Sequence, residues 1–457
     1  MISPNYRLLV WVGALVVPLS TAVGIVPEAR VIGAAILLLF FGIVLADAML
    51  ASGEFDGIRL KMPDVVRMST SRSGVIPLLI EIDKGKQRLL RFGLPLPQEI
   101  TAVNECAVTQ LPASGGSFHL EYPCVAVRRG CYRLKHCYMQ QNSRFSFWSV
   151  RRAFPVQSEL RVYPDLLHER KAVAALFLNR GRFGIHAQRQ VGQGRDFEKL
   201  REYLPGDSLD EIHWKATAKR GKPVTKVFQI ERTQEVYVVI DASRLCARTA
   251  ADSEAQADSK NPLRRCSAAP TVLDRFITSA LLLGIAAERQ GDLFGLIAFS
   301  DRVHRFVRAK SGRQHFGACR DALYTMQPDI VSPDFEELCS FIRVRLRKRA
   351  LLVFLTDLDD PMLSESFARN VELVSRQHLV VVNMLRPAAV APLFGNELPN
   401  TSDDIYRHLS GHMRWQDMQE LSRVLSRSGA PLSLLENEKL AASLITAYVT
   451  IKQRQML

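Results

Sequence analysis

The sequence predicts an α/β protein in which a doubly wound, parallel-type sheet follows a transmembrane helical hairpin and a small β-sandwich. Three observations support this fold class. An apolar, β-branched run, Val236–Ile240, has the composition of a strand that is buried on both faces. Strand and helix patterns then alternate from residue 235 to residue 452. Two long uncharged runs precede these segments near the N-terminus.

The N-terminal region, residues 1–52, is predicted to form a pair of membrane-spanning helices. Leu8–Val26 and Val31–Ala46 contain no charged residue, and only Pro27–Arg30 separates them. Because about twenty apolar residues in a helix span the hydrocarbon core of a bilayer, the two runs predict a hairpin. The alternative is a signal peptide followed by a buried helix, which the single Arg7 before the first run disfavours.

The distribution of positive charge predicts the orientation of this hairpin. Arg7 precedes the first run, and Arg59, Lys61 and Arg67 follow the second, whereas the turn holds one Arg close to a Glu. Because positive residues favour the cytoplasmic side, both ends of the hairpin are expected there. The eight cysteines form no CxxC pair, which agrees with a reducing compartment. We therefore expect a multi-pass protein of the cell inner membrane with most of its chain in the cytoplasm.

The overall charge narrows the classes of partner. The chain has 60 Lys and Arg against 46 Asp and Glu, a formal net charge of +14. This balance favours contact with nucleic acid, an anionic lipid surface or an acidic protein. The basic residues are spread along the chain without a reading motif, so nucleic acid is the weakest of the three and is not expected as a partner.

Residues 53–164 predict a small β-sandwich, and residues 165–234 form a separate segment after it. In the first part, short β-rich runs alternate with Pro and Gly, as in antiparallel sheets. In the second, apolar residues have helical spacing from Asp165 to Arg180, and dense charge follows. The clearest β-rich runs are Gly74–Ile82, Arg88–Phe92, Ser117–Tyr122, Cys124–Arg128 and Gly130–Leu134.

Residues 235–457 carry the alternation that predicts the doubly wound sheet. The apolar runs Val236–Ile240 and Ala350–Thr356 predict its central strands. Arg248–Pro270 breaks the alternation with small polar residues and is expected to be a mobile surface insertion. The other predicted strands are Leu293–Ser300, Val303–Val307, Leu379–Leu385 and Ala430–Leu435. The predicted helices are Thr271–Gln290, Gln314–Met326, Asp334–Lys348, Leu363–Arg376, Asp403–Ser428 and Asn437–Lys452.

The charged segment before the first central strand allows three interpretations. It forms an internal clamp of ion pairs with Trp214 as a buried apolar anchor, a docking surface for a protein partner, or a hydrolytic site built from His213, Asp207 and Glu211. No GxSxG, HExxH or P-loop motif accompanies the third. The residues selected as signature or partner-binding positions are Arg195, Asp196, Arg201, Asp207, Trp214, Lys215 and Lys219.

Two predicted strands end in carboxylates, Asp241 and Asp357, and Ser243 follows the first. Because the carboxyl ends of parallel strands meet at one edge of a sheet, these oxygens are expected to lie together. Carboxylate and hydroxyl oxygens are ligands of hard cations, so a weak Mg²⁺ site is one interpretation. In the other, the same groups cap neighbouring loops by hydrogen bonding, and the protein needs no cofactor.

This edge resembles the von Willebrand factor A domain. The metal-ion-dependent adhesion site of that domain uses an Asp-x-Ser-x-Ser loop, a Thr from a second loop and an Asp from a third. The chain offers Asp241-Ala-Ser243-Arg-Leu245, and Asp357 fits the third loop. The resemblance implies a degenerate metal site. We expect weak or absent Mg²⁺ binding, because Leu245 has no lone pair to offer where a hydroxyl is required.

Most of the chain resembles the bacterial family known as domain of unknown function 58. The resemblance rests on the pattern GxGxDFxxLRxYxPGD…IxWKAxA from Gly192, on Arg129–Tyr132 and Val162–Asp165, and on Gln290–Asp301 and Tyr448–Lys452. Members of the family are similar in having a membrane anchor and a von Willebrand A-like domain, and they are often associated with MoxR-type AAA+ ATPases. The resemblance implies a membrane-anchored interaction or scaffold module that works with such an ATPase in protein assembly or envelope-related processes.

The competing function class is an enzyme, a metal-assisted hydrolase that uses the carboxyl edge of the sheet. A catalytic metal needs well-fixed ligands, and Leu245 removes one of them. The sequence therefore favours a module without enzymatic activity.

Overall fold

The protein is described by a computed structural model that divides into two compact units. The first is Met1–Asp165, and the second is made of Leu166–Ser253 and Ala269–Leu457. The helix predicted after Asp165 and most of the insertion Arg248–Pro270 lie outside the described residues. The structure describes residues 1–25, 30–51, 55, 57–82, 88–103, 106–111, 116–167, 191–204, 212–229, 234–250, 270–387, 390, 392 and 402–454. Within these ranges, it describes the backbone but not the side chains of residues 23, 30, 88, 111, 191–199 and 226–229.

Two apolar helical segments open the first unit. Among the described residues, one helix is long and apolar enough to cross a membrane, at Val31–Ala51, with a mean hydropathy of 2.5. The apolar helix at Tyr6–Ala22 is shorter. The structure therefore supports association with a membrane through one helix, and it does not support the multi-pass arrangement predicted from the sequence. The segments are helix α1 (Tyr6–Trp11), a π-helical turn (Val12–Val16), helix α2 (Val17–Ile25) and helix α3 (Arg30–Ala51).

The rest of the first unit is a β-sandwich. Its strands are β1 (Ile2–Pro4), β2 (Ile58–Lys61), β3 (Val65–Ser69), β4 (Ser73–Ile82), β5 (Arg88–Gly93), β6 (Ile100–Ala102), β7 (Ala107–Leu111), β8 (Gly116–Ala126), β9 (Gly130–Asn142) and β10 (Trp148–Tyr163). One sheet has the order β1-β10-β9-β5-β7, with β3 also paired to β10, and the other has the order β2-β4-β8-β6. Ile76 and Leu78 of β4 share a buried cluster with Leu160 and Val162 of β10. The two sheets therefore enclose one core, and the predicted sandwich is confirmed.

Both ends of the helical pair are bound to the start of β10. At one end, β1 pairs antiparallel with β10. At the other end, the buried Asp47 of α3 accepts hydrogen bonds from Ser143 Oγ (2.5 Å) and from the Phe145 N–H (3.2 Å). The Trp148 indole N–H donates to the Val44 carbonyl oxygen at 2.9 Å. Both ends of the helical pair are therefore attached to the start of β10 and to the loop before it.

The second unit is built on a six-stranded sheet of order β15-β14-β13-β16-β17-β18. Neighbouring strands are parallel except β14 and β15, which are antiparallel. This is the 3-2-1-4-5-6 order of doubly wound sheets, with one antiparallel edge strand. The edge strand is antiparallel because three residues join it to β14, too few for a parallel crossover. The strands are β13 (Glu235–Asp241), β14 (Leu293–Phe299), β15 (Val303–Lys310), β16 (Leu351–Leu355), β17 (Leu379–Leu385) and β18 (Leu432–Leu435).

Helices cover both faces of this sheet, and the predicted α/β fold class is confirmed. Alternate residues of β13 point to opposite faces, so that Val238 lies in one buried cluster and Val239 in another. The helices are α5 (Val272–Arg289), α6 (Arg313–Leu323), α7 (Phe335–Arg345), α8 (Pro361–Ser375), α9 (Ser402–Arg427) and α10 (Leu440–Gln453). The cluster around Val238 includes residues of α5, α6 and α10, and the cluster around Val239 includes residues of α7, α8 and α9.

The ends of α5 agree with the signals in the sequence. Thr271 and Asp274 form a reciprocal capping box at its start. Gly291 follows the helix with a φ of 77°, a backbone conformation that favours glycine. The predicted helix Thr271–Gln290 is therefore confirmed to within one residue at each end.

A buried carboxylate fastens the last helix to the sheet. Asp292, which is 0% exposed, lies just before β14. It accepts hydrogen bonds from the Tyr448 hydroxyl, from Lys452 Nζ at 2.8 Å and from the Gln234 N–H at 3.2 Å. We call Asp292, Tyr448 and Lys452 the Asp292 cluster. The Asp292 cluster joins Gln290–Asp301 to Tyr448–Lys452, two of the motifs that carry the family resemblance. Packing of the last helix on the sheet therefore accounts for these residues.

Candidate functional site

Strand β13 ends at the carboxyl edge of the sheet with Asp241, which is 0% exposed. Its carboxylate accepts hydrogen bonds from the Ser243 backbone N–H at 2.8 Å and from the Thr356 hydroxyl at 2.7 Å. Burial raises the pKa of Asp241, and these hydrogen bonds oppose the rise. Sequence reasoning did not select Thr356, although it directly precedes Asp357 and directly follows β16.

Asp357 lies beside this group and is paired with an arginine. Its side chain is 3% exposed, and Arg248 Nη2 lies 2.5 Å from Asp357 Oδ2. The Asp359 N–H donates to Asp357 Oδ1 at 3.2 Å. Burial raises the pKa of Asp357 to about 6, and the positive charge of Arg248 opposes this rise. At neutral pH the pair is therefore an ion pair. Sequence reasoning placed Arg248 at the start of a mobile insertion and missed this role.

Three segments of the chain bring charges to this edge. Arg248 follows a 3₁₀ turn, Arg244–Ala247, and its carbonyl accepts a hydrogen bond from the Val272 N–H at 2.9 Å. Asp359, beyond β16, lies 3.9 Å from Arg248 Nη1. The same Asp359 carboxylate also pairs with Arg414 of α9. Positive and negative groups thus alternate along the edge and neutralise one another.

The residues at this edge do not fit a bound Mg²⁺. That ion needs near-octahedral oxygen ligands at about 2.0–2.1 Å. Leu245 is half-buried and offers no oxygen, and Asp357 is already paired with Arg248. Among the residues that the structure describes, no group of three or more His, Cys, Asp or Glu side chains could hold a metal ion. Asp241, Ser243 and Asp357 do come together. The Asp241 carboxylate caps its own loop through the Ser243 N–H, whereas the buried Ser243 Oγ has no hydrogen-bond partner among the described residues.

A second polar cluster lies at the end of β14, and sequence reasoning missed it. Ser300 Oγ is 2.6 Å from His304 Nε2, 2.9 Å from Asp301 Oδ1 and 3.1 Å from Asp329 Oδ2. In a Ser-His-Asp triad the two ring nitrogens face different partners. Here the same nitrogen, His304 Nε2, is also 3.2 Å from Asp329, and Ser300 is fully buried. The cluster therefore fastens loops together and does not have the geometry of a nucleophile site.

The interpretation of Trp214 as a buried apolar anchor is wrong. Trp214 is the first residue of helix α4 (Trp214–Arg220), and its side chain is 69% exposed. The helix has no buried residue, because its seven residues carry only small or basic side chains besides the indole. His213 caps it, with Nδ1 accepting a hydrogen bond from the Ala216 N–H at 3.0 Å. This bond occupies one of the two ring nitrogens that an acid–base role would use.

The other selected residues of the charged segment differ in their exposure and in whether the structure describes them. Lys215 and Lys219 are exposed on α4 and, four residues apart, share one side of it. Arg201 is half-buried in strand β11 (Val191–Glu202), which pairs with β12 (Val224–Gln229) in a two-stranded antiparallel sheet. This hairpin was not predicted, since charged residues are poor markers of a strand. The side chains of Arg195 and Asp196, and the whole of Asp207 and Glu211, lie outside the described residues.

Comparison with known proteins gives relatives whose names do not state a function. Uncharacterized proteins of Mycobacterium tuberculosis and Mycobacterium bovis are each 23% identical over 290 residues, which cover 59% of this chain and 84% of theirs.

Three solved structures are similar at low TM-scores. The conserved hypothetical protein BatB from Bacteroides thetaiotaomicron has a TM-score of 0.29 and 11% identity, covering 48% of this chain and 99% of that one. An aerotolerance-related membrane protein from Bacteroides fragilis has a TM-score of 0.27 and 13% identity, covering 47% of this chain and 97% of that one. The SpRpn10 VWA domain has a TM-score of 0.26 and 10% identity, covering 46% of this chain and 93% of that one.

The family comparison covers part of the charged segment and five of the six strands of the doubly wound sheet, but not the quoted motifs Arg129–Tyr132, Val162–Asp165 and Tyr448–Lys452. Residues 199–400 match the family described as "Protein of unknown function DUF58", which confirms the resemblance to domain of unknown function 58.

Proposed function

We propose that the protein is a membrane-anchored protein-interaction module that works with a MoxR-type AAA+ ATPase in protein assembly or envelope-related processes. In this proposal α3 anchors the chain in the cell inner membrane, the first apolar helical segment crosses beside it, and most of the chain lies in the cytoplasm. The observation that carries the proposal is the exposed surface of α4, where Trp214 is followed by exposed basic residues.

The chemistry of α4 fits a docking surface. Trp214 exposes 69% of a large aromatic side chain, which gains apolar contact when a partner covers it. Lys215, Lys219, Arg220 and Lys222 are all exposed around it, and α4 contains no acidic residue. An aromatic anchor with cations at its rim is complementary to an acidic protein surface. The docking interpretation of the charged segment is therefore favoured over the internal clamp.

The proposal includes no catalytic step at the sheet edge. The Ser300 hydroxyl is fully buried, and the carboxylates Asp241 and Asp357 are engaged by a hydroxyl and a guanidinium. A hydrolytic site needs a group that reaches the substrate. We therefore propose that this edge holds the unit in shape while α4 meets the partner.

Binding of a purified MoxR-type ATPase to the detergent-solubilised full-length protein tests the proposal, with and without ATP and Mg²⁺. The variant Lys215→Glu/Lys219→Glu is expected to weaken binding by at least a factor of ten, because two attractive charges become repulsive. Its melting temperature is expected to stay that of the wild type, because both side chains are exposed. The matched control is Arg347→Glu/Lys348→Glu, an exposed basic pair that follows α7. Unchanged binding by the α4 variant would refute docking through this helix.

Labelling of cysteines tests the proposed orientation. Cys106 and Cys131 are exposed in the first unit. An impermeant maleimide is expected to label them only after the cells are permeabilised, and Cys106→Ser/Cys131→Ser gives the background. Labelling of these two cysteines in intact cells would show that the sandwich lies outside the cytoplasm.

A further inference from the structure

We infer that the Arg248 guanidinium is the resident cation of the carboxyl edge and holds Asp357 where a von Willebrand A-like site would use a divalent metal ion. The α/β unit is then complete without metal. This inference goes beyond the proposed function and does not depend on the identity of any partner.

The first argument is burial. The Asp357 side chain is 3% exposed, and a carboxylate so far from water is stable only beside a compensating charge. Arg248 Nη2 at 2.5 Å supplies that charge. The Arg248 side chain is itself 36% exposed, so its other N–H groups keep contact with water. The charge is therefore balanced at little desolvation cost to the arginine.

The second argument is the position of Arg248 in the chain. It follows the 3₁₀ turn Arg244–Ala247, the same turn in which Leu245 replaces the second ligand hydroxyl of an adhesion-type loop. The turn is held by the hydrogen bond from the Val272 N–H to the Arg248 carbonyl and by the burial of Cys246. One short segment thus lacks a metal ligand and supplies a cation.

The third argument is what the guanidinium connects. A metal ion at such an edge joins loops from several strands. Here Arg248, from the loop after β13, is paired with Asp357 and is 3.9 Å from Asp359, both after β16, and Asp359 in turn pairs with Arg414 of α9. A divalent ion bound to Asp357 would lie against the guanidinium, and like charges at that distance repel.

Thermal melting of the full-length protein tests the inference, in EDTA and in Mg²⁺ or Mn²⁺. A ligand stabilises a protein only when it binds the folded state better than the unfolded state, so the metal-induced change in melting temperature reports a metal site. The wild type and Arg248→Lys are expected to show no change. Arg248→Ala is expected to melt earlier in EDTA, and Leu245→Ser/Arg248→Ala to recover stability when Mn²⁺ is added. Arg369→Ala, on an exposed surface pair with Glu365, is the matched control and is expected to behave as the wild type.

Two results would overturn the inference. One is a rise in the melting temperature of the wild type when Mg²⁺ or Mn²⁺ is added, if the Asp357→Asn variant does not show this rise. The other is an Arg248→Ala protein that melts as the wild type in EDTA. If Arg248→Ala does not fold, the neutral pair Arg248→Met/Asp357→Asn decides. The inference requires this double variant to fold without metal, because no buried charge remains to be balanced, and its failure to fold would refute the role of Arg248.

Discussion

Replacing Lys452 with Met is expected to destabilise the second unit more than replacing Asp292, its partner in the Asp292 cluster, with Asn. Met keeps most of the length and apolar stem of lysine but removes the charge. Asp292, which is 0% exposed, then keeps hydrogen bonds from Tyr448 and Gln234 only. Removing one partner of a buried ion pair costs about 3–5 kcal/mol. Because the Lys452 side chain is 27% exposed, we expect the lower end, about 3 kcal/mol.

Two further variants separate charge from size. Asp292→Asn leaves Lys452 partly exposed and still bonded to the Gln290 carbonyl at 2.8 Å, so it is expected to cost less, about 1.5–3 kcal/mol. The double variant Asp292→Asn/Lys452→Met removes both charges and leaves neither one buried alone. Its cost is therefore expected to be smaller than the sum of the two single costs.

Hydrogen exchange of the full-length protein, followed by mass spectrometry, measures these costs. The slowest amides of β13 and β14 report the opening of the second unit by itself. Lys439→Met is the matched control, because Lys439 pairs with Glu436 on the surface, at 2.6 Å, and its loss is expected to change the exchange little. A Lys452→Met protein that exchanges like this control, or a double variant as unstable as the sum of its parts, would refute the reasoning.

Three more predictions follow from single contacts. Trp214→Ala is expected to leave the melting temperature unchanged, because the side chain is 69% exposed, while weakening capture of the ATPase in a pull-down. Gly295→Ala is expected to destabilise the second unit by about 1–3 kcal/mol in hydrogen exchange, because a Cβ there would lie 2.5 Å from Tyr237 Cε1. The pKa of Asp357 is raised from 3.8 to about 6, so the folded protein holds this proton more tightly than the unfolded chain. The resulting stability is present in full below pH 3.8 and lost as the pH rises through about 6, and Asp357→Asn is expected to remove this part of the melting profile.

The sequence by itself determined the strands and helices of the doubly wound sheet and their order along the chain. Val236–Ile240 is apolar throughout and forms a central strand with both faces buried, as this composition predicts. The capping pair Thr271 and Asp274 marks the start of α5, and Gly291 follows its end. These signals are local, because the spacing of apolar residues and the caps act within a few neighbours along the chain. The placement of Asp241 and Asp357 at one edge then follows from the rule for parallel strands.

Only the tertiary structure decided which groups meet at that edge and which side chains stay exposed. Nothing near Arg248 in sequence indicates that it pairs with Asp357, since the contact depends on how two loops and α5 are placed. The clamp interpretation of the charged segment made Trp214 a buried apolar anchor, yet α4 is too short and too polar to bury it. Periodicity along the chain predicts the elements, whereas the pairing of charges and the exposure of a side chain depend on contacts between residues that are distant in sequence.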